Sequence, residues 1–172
     1  MAGMVREERL GGLQERLYFA RVLWRHWQEA RTRPPGEQLA LRSACLLHLY
    51  AVPVGILRIL AQRARLKDAE SMATLSPLLQ LLQSAGVQVA AVRLIAAACQ
   101  DQQDILSWLD SEICANWAAP VLARREAPTQ GLDLRQEKTI VPLSTDDQDR
   151  IQALFARLEQ LLAECQQQIE EW

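Results

Sequence analysis

The stretch from Gln38 to Ala64, QLALRSACLLHLYAVPVGILRILAQRA, constrains the fold more than any other, because nowhere else do so many apolar residues recur at helical spacing with so few charges. Leu41, Cys45, His48, Leu49, Val52, Ile56, Ile59 and Leu60 follow three- and four-residue steps, and Ala44, Leu47, Ala51 and Leu57 widen the stripe. A helix this apolar needs neighbours on several sides. It is therefore predicted to be the central helix of a bundle, with Pro53 inside it removing one backbone hydrogen bond and kinking the rod near 49–52. The stretch is long enough to span a bilayer, but Arg42, His48 and Arg58 interrupt it, so a core helix is the better reading.

Leu, Ala, Gln, Glu and Arg dominate while Val, Ile and aromatics are sparse, which favours helix over strand. The expected fold is all-α, an antiparallel bundle of about five or six helices forming a single domain over residues 1–172. The first helix is expected at 8–31, with Leu10, Leu13, Leu17, Ala20, Trp24 and Trp27 as its packing seam. Tyr18, Phe19, Val22 and Leu23 form a second apolar flank, implying cover on more than one side. The run Thr32-Arg33-Pro34-Pro35-Gly36 stops it, and the short connection makes helices one and two antiparallel neighbours. Helix two is expected over 37–66.

Ser76-Pro77 predicts a helix start with Ser76 as cap and an end at Gly86. A further helix is expected over 87–99, then a break in the polar run 100–104, with Asp101 capping a helix that carries Ile105, Leu106, Trp108, Leu109, Ile113 and Trp117. Residues 124–143 lose periodicity and read as a long connecting loop. The last helix opens at Ser144-Thr145-Asp146-Asp147, reaches about Glu170 and packs on the bundle through Ile151, Leu154, Leu158, Leu161 and Cys165.

Chemistry-bearing motifs are few. Cys45, Cys99, Cys114 and Cys165 lie far apart with no C-x-x-C pair, and read as small core hydrophobes in a reducing compartment. No signal-like apolar run opens the chain, so a cytoplasmic location is expected. His26 and His48 are the only histidines, and no paired Glu-x-x-His motif is present, so neither a metal nor a cofactor is expected. Four of the five tryptophans, Trp24, Trp27, Trp108 and Trp117, fit the core stripes of their helices.

Charge is the least ordinary feature. Met1–Lys67 carries 12 Lys and Arg against 5 Asp and Glu, a net +7, whereas Asp68–Trp172 carries 7 against 16, a net −9. Arg9, Arg16, Arg21 and Arg25, with Arg6, Arg31 and Arg33, form a candidate basic face for an acidic protein partner or for self-association with the acidic C-terminal region. Nucleic acid fits less well, because the aromatics of this helix sit at core spacing rather than offering stacking platforms. The competing account is that the first and last helices pack together and cancel each other's field.

Arg42, His48 and Tyr50 form a second candidate site, a pocket opened at the Pro53 bend. Arg42 and His48 have the Arg-x5-His spacing similar to the catalytic motif of the HEPN helical ribonucleases, which gives an alternative to a binding module: a ribonuclease or nucleotide-binding bundle. Against it, six residues turn the second side chain about 120° from the first on a continuous helix.

Leu17-Tyr18-Phe19-Ala20-Arg21, Leu46-Leu47-His48-Leu49-Tyr50-Ala51 and Ser107-Trp108-Leu109, in that order, resemble a family of small helical proteobacterial proteins of unknown function over residues 13–125. The resemblance implies a bacterial cytosolic helical bundle and brings no activity and no site. The reading favoured on the residues is a non-enzymatic module that binds another macromolecule or itself.

Overall fold

The computed structural model describes residues 10–29, 34–117 and 145–170. Among them are six α-helices and no strand: α1 (Leu10–Glu29), α2 (Pro35–Arg63), α3 (Leu75–Ser84), α4 (Ala90–Gln100), α5 (Ile105–Trp117) and α6 (Thr145–Glu170), with a single 3-10 turn at Ala69–Ser71. The expected all-α bundle is what the chain forms. The long segment 124–143 and Arg6, Arg9, Arg31 and Arg33 of the candidate basic face lie outside the described residues.

α2 is the axis. It packs against every other helix of the described chain, and Cys45, Leu46, Leu49, Val52, Ile56 and Leu57 along it are completely buried. Among the described residues it is also the one helix long and apolar enough to cross a membrane, yet 72% of its most apolar window is buried inside the bundle, as for a core helix. Three of the four residues expected to widen its stripe fall at the edge: Leu47 is 43% exposed, and Ala44 and Ala51 are half-buried. The stripe is wide because α2 has neighbours on several sides, but those neighbours do not close around it.

α1 runs antiparallel to α2, with Leu13 opposite Gly55 near one end and Ala20 opposite Cys45 further along, where the thiol donates to the Ala20 carbonyl at 3.4 Å. A Cβ on Gly55 would collide with the Leu13 side chain, so this glycine sets how closely the two rods approach. Of the expected seam, Leu13, Leu17, Ala20 and Trp27 are buried, and Leu10 and Trp24 are half-buried against the core. The second flank is covered only in part: Val22 and Leu23 are half-buried, but Tyr18 is 63% and Phe19 38% exposed. Apolar residues at two faces of a helix demand two neighbours only if the fold supplies them, and α1 is peripheral.

Local chemistry moves several boundaries. α2 begins at Pro35 rather than beyond Gly36, because a proline at the first helical position costs no hydrogen bond. It ends earlier than expected, at Arg63, in a Schellman turn: Leu66 N–H reaches the Ala61 carbonyl at 2.9 Å, Arg65 N–H reaches Gln62, and Arg65 takes the left-handed position with φ 55°. α3 closes in the same way through Gly86, φ 73°. α3 starts at Leu75, not Pro77, and Ser76 does not cap it. Its first amide is met instead by a side chain from α2, described below. The expected break after α4 is present, but Asp104 rather than Asp101 caps α5, accepting from Leu106 N–H at 2.8 Å.

α6 lies across α2, α4 and α5 and buries Ile151, Leu154, Leu158, Leu161 and Cys165, the residues its sequence pattern selects.

Candidate interaction surface

Of the Arg42, His48 and Tyr50 trio, Arg42 and Tyr50 are built into the frame, both reaching carboxylates of α5. Arg42 is 92% buried, being 8% exposed. Its Nη1 donates to Glu112 Oε2 of α5 at 3.0 Å and its Nη2 to Asp147 Oδ1 of α6 at 3.2 Å, tying three helices together. The guanidinium also faces the Trp108 ring at 5.9 Å, and Arg150 approaches the same ring at 5.5 Å. Arg42 Nε is the one polar atom of this group left without a hydrogen bond. Nothing in the sequence pointed to Glu112 and Asp147, which stand 70 and 105 positions away.

Tyr50 is buried. Its hydroxyl donates to Asp110 Oδ1 at 2.5 Å and accepts from Leu75 N–H at 3.0 Å, so it serves as the cap of α3 while holding α5. Burial, and then the bond to Asp110, push the Tyr50 phenol well above its ordinary value. A hydroxyl so held is a structural strut.

His48 turns to the other flank, where Phe19 of α1 meets it edge-on at 5.6 Å. It is half-buried, although it falls on the apolar stripe of α2, and its Nδ1 has no hydrogen-bond partner among the described residues. Burial and the nearby Arg16 charge lower its pKa, so the ring is held neutral. Arg42 and His48 therefore serve different interfaces, as their 120° separation on α2 anticipates.

All four thiols are shifted away from the thiolate form. Burial pushes Cys45 up to about 12 and Cys99 and Cys165 up to about 11, and it also raises Cys114. Cys45 and Cys165 are core residues as expected. Cys114 is exposed and Cys99 half-buried, a correction that follows from their place on the outer sides of α4 and α5. Among the described residues no group of three or more metal-ligating side chains gathers.

What remains at the surface is the outer side of α1. Arg16, Arg21 and Arg25 are exposed there beside Tyr18 and Phe19. Arg21 pairs with Glu159 of α6 and stacks over Phe155 at 5.8 Å, so part of the basic field is cancelled inside the fold. Between α1 and α6 runs a groove of about 310 Å³ floored by Leu17 and Leu162 and walled by Gln14, Tyr18, Arg21 and Glu159. This groove is a concave feature of the described surface. The sequence signal for it was Tyr18, an aromatic off the core seam of α1; Phe19, its neighbour in the chain, faces His48 of α2 instead.

Comparison with protein-family models, with curated proteins and with solved structures returns no match. The resemblance over residues 13–125 thus rests on its three short motifs alone.

Proposed function

We propose that the protein is a non-enzymatic helical module that binds a protein surface across the outer flank of α1. The observation that carries this reading is the exposure of Tyr18 and Phe19 next to Arg16 and Arg25, on a helix whose opposite face is fully committed to the core. Tyrosine, phenylalanine and arginine are the side chains that interfaces use most, because each covers a large area and Tyr and Arg add directed hydrogen bonds. The surface suits a partner that offers an apolar patch edged by carboxylates. A polyanion suits it less, since Arg21 is already paired and Glu15 and Glu29 punctuate the arginines. The ribonuclease alternative has less support, because Arg42 is spent on Glu112 and Asp147 while His48 lies against Phe19.

Purification of the tagged chain from its own host, beside a Tyr18→Ser/Phe19→Ser variant, tests the reading. A companion retained at low salt, released at high salt and lost from the variant is the expected result. Identical eluates from the two chains would overturn it.

A further inference from the structure

We infer that the partner is a second copy of this chain, seated in the groove between α1 and α6 about a two-fold axis; this rests on the interaction-module reading above. Two-fold association brings a surface against itself, so a patch of one charge sign repels its own image, whereas a patch with both signs in balance does not. The groove meets that condition: its rim holds one cation and one anion, Arg21 and Glu159, already paired across it.

The adjoining surface continues the pattern. Beside the groove, between positions 152 and 163 of α6, the exposed residues are Gln152, Ala153, Ala156, Glu159, Gln160 and Ala163, so Glu159 is the single exposed charge in that stretch. A helix face turned to water ordinarily carries more charge than this, and a face so nearly neutral loses little hydration when covered. Tyr18 stands at the rim of the groove, mostly exposed, with an apolar floor of Leu17 and Leu162 beneath. The reciprocal arrangement places Tyr18 of each copy over the groove of the other. Arg25, one turn beyond Arg21, is exposed and makes no ion pair among the described residues, so it supplies a cation for Glu159 of the second copy. The charge balance favours this occupant over an acidic peptide, which would meet Glu159 without relief.

The experiment is sedimentation of the full chain from low to high micromolar concentration, with circular dichroism as the check on folding. The wild-type mass is expected to rise reversibly from one chain to two. Ala163→Arg places a good helix former at an exposed position, and it is expected to keep the helical spectrum while weakening association at least about tenfold. Gln14→Glu, on the opposite wall, gives an independent second variant with the same expected loss. A wild-type chain that stays single at every concentration, or both variants associating like wild type, overturns the inference. Should the wild-type chain stay single yet still retain another protein that the Tyr18/Phe19 variant loses, only the identity of the partner fails. A chain that does neither removes the interaction reading as well.

Discussion

Arg42 shows why a single residue can mislead a functional reading. A buried guanidinium is costly unless its charge is met, and Glu112 and Asp147 meet it from two other helices. Arg42→Ala leaves both carboxylates without this partner and is expected to lower unfolding stability by about 3 kcal/mol, measured by urea denaturation. That is the lower part of the range for a broken buried pair, because the carboxylates keep some water. Arg42→Met, which fills the space without the charge, should cost less. His48 carries a pH effect instead. Its folded pKa lies below the ordinary value of 6.5, so between the two values the unfolded chain binds a proton that the folded chain refuses. Stability is full above pH 6.5 and is lost as pH falls through the folded value. In His48→Gln this part of the acid loss is absent, so a plot of melting temperature against pH is expected to be flatter below 6.5 for the variant than for wild type.

At the scale of elements, the helices were legible in the sequence because each has a regular apolar stripe, and their ends were less so. Ser76 and Asp101 had the right chemistry for caps, yet the α3 amide is met by Tyr50 and the α5 amide by Asp104. A cap from another helix leaves no mark in the local sequence. The end of α2 is a second case. A Schellman turn needs a left-handed residue, and the chain puts Arg65 where glycine would fit without strain. Arg65→Gly is expected to stabilise the fold by about 1 kcal/mol, the usual relief of a left-handed side chain less the added freedom of the unfolded glycine. A raised urea midpoint with unchanged slope is the check. An unaltered midpoint would mean that the Arg65 side chain compensates the strain.

For the whole molecule, the division of charge between the two halves of the chain was plain from composition, but composition does not say where the halves meet. The fold brings α1 beside α6 and joins Arg21 to Glu159, which removes part of the basic face and leaves a balanced groove in its place. Periodicity alone determined that this chain makes amphipathic rods packed around α2, since a stripe of leucines every three or four residues has no other way to leave water. The tertiary structure decided which flanks stay uncovered, which polar groups are consumed and which helix caps which. Those outcomes depend on contacts between residues tens of positions apart, and such contacts follow from how rods pack in space rather than from any pattern along the chain.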